Sequence, residues 1–227
     1  LTADTASAFS LDGLTNSHPI EQEVNNPAEI GQLFDAISYS KGGSVLRMLE
    51  DYIGPDDFRS GISAYLRHHS YSNAETSDLW NALANASGKP VREMMDSWVK
   101  QTGFPVLSAE AHKRQIALKQ ERFLYENIST KPNSVPNTTW FIPIKINAEG
   151  IGNLSSKLIS STEERIVIKE PLDGWFKLNP DQTGFYRVKY QPENLSRLEL
   201  AIKNGDLGDK DRLGLQGDAY ALCKAGY

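Results

Sequence analysis

Trp98-Val-Lys-Gln-Thr-Gly-Phe-Pro-Val-Leu-Ser-Ala-Glu-Ala111 is the stretch at which the spacing of apolar residues changes. Before it, apolar side chains recur every three to four positions, the pattern of amphipathic helices. From Phe104 onward the pattern shortens to that of strands, and Gly103 separates the two regimes. The chain therefore reads as helical first and sheet-forming second.

Upstream, each helix has its own punctuation. Val91, Met94, Met95 and Trp98 face inward on a helix that follows Pro90 and is expected to stop at Gly103. A helix beginning near Thr76 or Ser77 carries Leu79, Trp80 and Leu83 and stops at Gly88. Pro55 suits the first turn of another, with Phe58, Ile62, Tyr65 and Leu66 on one face. Val45, Leu46, Met48, Leu49 and Tyr52 mark a helix from near Ser38 to Tyr52, ended by Gly54-Pro55. One more is expected after Asn26, which can cap it, with Pro27 at the first position and Glu29 reaching back. Residues 1 to 26 are mostly polar, with Leu11-Asp-Gly-Leu14 as a local anchor. Short connections between amphipathic helices predict a compact helical lobe.

Downstream, strands are expected at Val106–Ala111, Gln115–Lys119, Trp140–Ile146, Leu154–Ile159, Arg165–Lys169, Trp175–Leu178 and Phe185–Tyr190. Lys131–Asn137 reads as a loop, and Pro143 marks an edge or a bulge. Regular short strands with turn signals predict a small β-sandwich. Helical spacing returns at Pro192, with Leu195, Leu198 and Ile202, and again over Asp211–Ala225. The expected fold class is α+β in three parts: a helical lobe over 1–102, a β-sandwich over 103–191 and the start of another helical domain over 192–227.

At 39% hydrophobic and 23% charged residues, the composition is that of a soluble globular protein. A net charge of -5 without a basic stripe argues against nucleic acid as a partner. The longest apolar stretches fall short of the roughly 18 to 20 residues that span a bilayer, so no membrane is expected. Cys223 is the only cysteine, which excludes an intrachain disulfide and cysteine-rich metal sites. It fits a reducing, cytoplasmic setting, while Asn-x-Ser/Thr triplets at Asn85, Asn127, Asn137, Asn153 and Asn194 leave a secretory route open. The missing initial Met and the helical pattern still developing at Tyr227 read as an interior segment of a longer chain.

A search for catalytic sets finds little. Neither His18, His68, His69 nor His112 lies in His-Glu-x-x-His, the spacing that brings two imidazoles to one zinc. His68 and His69 are adjacent, so on a helix they diverge by about 100° and read as solvent-side residues at a helix end. Asp56 and Asp57 open a helix, where the dipole favours negative charge. There is no Gly-x-Ser-x-Gly and no phosphate loop. Metal ligands are expected in none of these positions. Taken alone, Tyr39 reads as a packing tyrosine and Phe34 as a buried helix residue.

Phe34-Asp-Ala-Ile-Ser-Tyr39-Ser-Lys-Gly-Gly43, followed by Ser44-Val-Leu-Arg-Met-Leu49, resembles a run found in zinc aminopeptidases of the gluzincin type. Other stretches carry the same resemblance in the same order. They are Ser17-His-Pro-Ile-Glu21 with Asn26-Pro-Ala-Glu-Ile30, then Ser87-Gly-Lys-Pro90, then Trp98 to Val106. Trp175-Phe-Lys-Leu-Asn-Pro-Asp-Gln-Thr-Gly-Phe-Tyr-Arg-Val-Lys-Tyr190 looks like the end of the family's β-sandwich, and Asp211-Arg-Leu-Gly-Leu-Gln-Gly-Asp-Ala219 like the start of its α-superhelical domain. The wording is nearest to the puromycin-sensitive and fungal cytosolic branch.

The resemblance implies that the helical lobe closes a thermolysin-like catalytic domain. It implies a parent enzyme that removes single residues from the N-termini of peptide substrates. Zinc would activate water there and an upstream glutamate would act as general base. Tyr39 takes the family's transition-state role, donating a hydrogen bond to the oxyanion on the scissile carbonyl. Phe34 matches a residue lining the pocket for the substrate's first side chain, and Asp35 and Lys41 are assigned structural pairing at the helix end. The zinc ligands, the catalytic glutamate and the Gly-x-Met-x-Asn loop that grips the substrate amine do not occur in this chain. No zinc and no activity are therefore expected of the chain by itself. Gly43 stands where the family has alanine or serine. Two rival readings remain: a non-catalytic interaction module on the same scaffold, and a β-sandwich adaptor over residues 104 to 191.

Overall fold

The computed structural model describes residues 2–22, 26, 31, 34–125 and 138–227. The helix expected after Asn26, the loop over 131–137 and the Asn127 and Asn137 triplets lie outside the described residues.

The chain opens with α1 (Thr2–Asp12), a helix where the sequence suggests only a polar segment. The inward face of α1 is small: Ala8 and Phe9 are buried, together with Asp12. Alanine on a buried face gives no apolar stripe, so periodicity passes over this helix.

A π-helical turn (Ile37–Lys41) leads directly into α2 (Gly42–Ile53), which buries Val45, Met48, Leu49 and Ile53. Gly54 then takes φ 101°, a conformation open to glycine, and Pro55 starts α3 (Pro55–His68) at its first turn. His68 ends this helix in solvent and His69 follows as its cap. Helix α4 (Thr76–Ser87) begins with a reciprocal capping box between Glu75 and Asp78 and ends on Gly88 at φ 65°. Its contact with α3 is close at Gly61, where an added Cβ would stand 2.8 Å from Leu83 Cδ2 and 3.0 Å from Leu83 Cα.

Helix α5 (Val91–Val99) buries Val91, Met94, Met95, Trp98 and Val99. It ends at Val99 and not at Gly103. The backbone after it has another use, because the carbonyls of Gln101 and Gly103 accept hydrogen bonds from Lys41. Helix α5 also fixes the chain leading into the second sheet. Trp98 Nε1 donates to the Phe141 carbonyl at 2.8 Å, and the Phe141 N–H donates to Ser97 Oγ at 3.0 Å.

The strands are β1 (Pro105–His112), β2 (Gln115–Arg122), β3 (Ile142–Ala148), β4 (Gly152–Ile159), β5 (Glu163–Val167), β6 (Phe176–Leu178) and β7 (Arg187–Tyr190). They form a four-stranded sheet in the order β5-β2-β1-β7 and a three-stranded sheet in the order β4-β3-β6. Among the described residues, only the β1–β7 pair is parallel; the other ladders are antiparallel. β3 is a central strand, yet β6 pairs only with Ile146 to Ala148, so among the described residues Pro143 has a strand neighbour on one side only. A shift of register follows between Ile144 and Ile146. Buried residues of both sheets and of α1, α2, α4 and α5 join one hydrophobic cluster. Beyond Tyr190 come α6 (Pro192–Asn204) and α7 (Asp209–Ala225).

No helix among the described residues is long and apolar enough to cross a membrane. A Cβ at Gly43 would meet nothing within 4 Å. Gly43→Ala should therefore raise stability by up to about 1 kcal/mol, as the higher helix propensity of alanine is gained without a clash. A shift of the urea unfolding midpoint to higher denaturant at unchanged slope would register it.

Candidate functional site

Phe34 and Tyr39 are both exposed, at 67% and 64%. Their ring centroids lie 6.1 Å apart with an interplanar angle of 29°, within the range of offset aromatic contacts. Tyr39 sits on the π-turn, whose other side is buried: Ile37 is 2% and Lys41 0% exposed. Turns of this type carry an extra residue and are frequent at functional sites.

Both ends of the turn are held by charge. At its start, the Asp35 carboxylate accepts the Ser38 N–H at 2.9 Å, and the Asp35 carbonyl accepts the Tyr39 N–H at 3.1 Å. The same carboxylate lies 2.6 Å from His18 Nε2. Burial would push the Asp35 carboxyl up; the Ser38 N–H and the His18 ring outweigh it and hold it below its usual value.

At the far end, Lys41 Nζ stands 2.9 Å from Asp12 Oδ2, with both side chains fully buried. The ammonium also donates to the carbonyls of Gly103 at 3.0 Å and Gln101 at 3.3 Å. Asp12 in turn accepts the Ser17 hydroxyl at 2.6 Å and the Gly103 N–H at 2.9 Å. Burial pulls the Lys41 pKa down, against the pull of the Asp12 carboxylate, and Arg122 nearby adds to the lowering.

The described residues do not make a zinc centre. Among the described residues, no group of three His, Cys, Asp or Glu side chains could hold a metal ion. His18 is committed to Asp35 and to the Pro19 carbonyl, and Asp12 to Lys41. His68 and His69 lie at the end of α3 and His112 at the end of β1. A cavity of about 520 Å³ opens elsewhere, between α1, α2 and α7, with Thr5, Phe9, Arg47, Arg187 and Leu213 among its walls, and neither Phe34 nor Tyr39 lines it.

Residues 1–98 match the model of the peptidase family M1 domain, and residues 175–227 match that of the ERAP1-like C-terminal domain. Across 98% of its length the chain is 40% identical to aminopeptidase M1-A of Oryza sativa subsp. japonica, covering 25% of that protein. Over its whole length it is 41% identical to the alanine/arginine aminopeptidase of Saccharomyces cerevisiae, covering 26% of it. The tricorn protease-interacting factor F2 of Thermoplasma volcanium is 41% identical over the whole chain, which covers 27% of it. Two of these three relatives are named as aminopeptidases.

The chain spans about a quarter of the length of these curated relatives. The M1 match contains α1, the π-turn with Tyr39 and the helices through most of α5, while the ERAP1-like match runs from the start of β6 through α7. Sequence reasoning singled out Phe34 and Tyr39 and assigned Lys41 and Asp35 to pairing at the helix end. It missed their partners, Asp12 and His18. Asp12 lies in the helix that periodicity passes over, and His18 enters the sequence reading as a candidate metal ligand and within the Ser17–Glu21 stretch, without a partner.

Lys41→Met should destabilise the protein by about 3 kcal/mol, because it leaves the Asp12 carboxylate buried without its cation. Adding Asp12→Leu should return part of the loss, although the Gly103 N–H then goes without its acceptor. Urea unfolding of both variants measures the difference.

Proposed function

We propose that this chain is a working part of an M1 zinc aminopeptidase of the puromycin-sensitive and fungal cytosolic branch, removing single residues from peptide N-termini in the cytoplasm. Residues 1–102 form the helical close of its catalytic domain, 103–191 a β-sandwich domain and 192–227 the start of its C-terminal helical domain. Tyr39 is its transition-state donor, and Phe34 lines the pocket for the side chain of the substrate's first residue.

The observation that carries this reading is the exposed Phe34–Tyr39 pair on a turn whose backing is buried and ionically fixed. A tyrosine kept only for packing would be expected in the core. A phenol is a neutral donor at pH 7 and strengthens its hydrogen bond as an oxyanion develops, which is a gain realised in the transition state. A turn held at both ends keeps that donor in place without reorganisation during the reaction. The zinc belongs to residues outside this chain, and when bound it supplies Lewis-acid chemistry at the scissile carbonyl.

In the full-length protein, Tyr39→Phe should lower kcat about 100- to 1000-fold on an N-terminal aminoacyl substrate, with KM nearly unchanged. Steady-state kinetics at saturating zinc measures it; unaltered turnover would remove Tyr39 from the donor role, and a wild type without turnover would favour a non-catalytic interaction module. The chain by itself, purified, should bind no stoichiometric zinc and hydrolyse no aminoacyl substrate. Metal analysis and a peptidase assay of the same sample check this, and zinc together with activity would overturn it.

A further inference from the structure

We propose that His18 is a positioning residue for Tyr39, acting through Asp35. The inference rests on the reading of Tyr39 as the transition-state donor, and its test separates the two.

Asp35 is the hinge of the argument. One residue accepts the Ser38 N–H on its carboxylate, the Tyr39 N–H on its carbonyl and the His18 ring on its other carboxylate oxygen. Whatever orients Asp35 therefore orients the first turn of backbone under Tyr39. His18 is itself fixed. Its Nδ1 lies 2.8 Å from the Pro19 carbonyl and its Nε2 2.6 Å from Asp35 Oδ2. The Gln22 amide nitrogen also lies 2.7 Å from Nδ1. The Asp35 carboxylate at Nε2 and the Pro19 carbonyl at Nδ1 are both acceptors, and an imidazolium can donate to both.

The turn is unequally held. Its far end ends in Lys41, fully buried and satisfied by Asp12 and two carbonyls. Its near end depends on a pair whose side chains are 28% and 32% exposed, within reach of solvent protons. Among the described residues, the charged groups acting on His18 are Asp35, from the turn itself, and Asp12, from the end of α1, the latter already paired with Lys41.

Burial alone would lower the His18 pKa; the Pro19 carbonyl and then Asp35 and Asp12 outweigh it, so the value stands above its ordinary 6.5. The pair's stabilisation from His18 is complete below pH 6.5 and is lost as pH rises through that raised value. From Asp35, whose value is lowered, it is complete above pH 3.8 and is lost as pH falls through the lowered value. The near end of the turn is fully clamped from about pH 3.8 to 6.5.

The test uses the full-length protein with His18→Gln, Asp35→Asn and the double variant, each checked by thermal melting for an intact fold. Kinetics is paired with 13C NMR of ring-labelled tyrosine, the Tyr39 signal being assigned by its loss in Tyr39→Phe. Each single variant should lower kcat roughly tenfold with KM within about twofold, since small misplacement near the reacting centre is costly. The double variant should be no worse than the singles, because both remove one coupled device. In the wild type the Tyr39 signal should move as pH rises through the His18 titration, and in His18→Gln it should stay still. Additive losses in the double variant, or a Tyr39 signal indifferent to His18, would overturn the proposal. A protein without peptidase activity whose Tyr39 signal still follows His18 would overturn the reading of Tyr39 and uphold the clamp.

Discussion

The buried pair between Lys41 and Asp12 joins three parts of the chain. Asp12 is the last residue of α1, Lys41 the last of the π-turn, and Gly103 lies at the passage from α5 to β1. A lysine and an aspartate taken fully out of water are a costly combination, and attraction alone does not compensate it. The remaining capacity must be filled, and here it is: the ammonium has three donors and three partners, one carboxylate and two carbonyls. That completeness makes the junction specific. A shift of α1, of the Tyr39 turn or of the chain after Val99 would leave one of these groups buried and unpaired.

The same device recurs where the strands meet α7. Lys177, on β6, is almost fully buried and meets Asp211 of α7 at 2.9 Å along with the carbonyls of Leu178 and Asn179. Arg187 on β7 meets Asp218 two turns further along the same face of α7, and the Val188 N–H donates to the other Asp218 oxygen. Burial raises the Asp218 pKa even against the opposing pull of Arg187, a measure of how dry this contact is. Lys145 on β3 reaches Asp51 of α2, which also accepts the Thr183 hydroxyl. Sheet cations against helix carboxylates thus set the seams between helices and strands, while the apolar cluster supplies the bulk of the burial.

Helices α2 to α5 and the seven strands were legible because their apolar residues repeat at a fixed period and Gly or Pro marks most of their ends. What failed to show follows from the same physics. Helix α1 hides because Ala8 packs without an apolar stripe. Gly103 was read as the stop of α5 because glycine ends helices, whereas the helix yields at Val99 so that its following carbonyls can serve Lys41. The buried charges were the least legible part. A lysine or aspartate in a sequence looks like solvated surface, and nothing local to Lys41 points to Asp12. Tyr39 itself, read alone, would have been a core residue; resemblance drew attention to it, and the exposed ring is a separate observation.

An exposed tyrosine side chain receives little packing, so its order must come from the backbone beneath it. The π-turn meets this by dividing its residues. Ile37 and Lys41, one turn apart, point inward and are buried, and Tyr39 between them points out. The burden of order is thereby moved from the ring to the backbone, and from the backbone to two ionic contacts of unequal character. One, at Lys41, is dry and has its donors filled. The other, at Asp35, is half wet and depends on a histidine. A site with a single adjustable support can respond to its surroundings without the fold loosening, because the contact that varies is not the one holding α1 and the sheet in register.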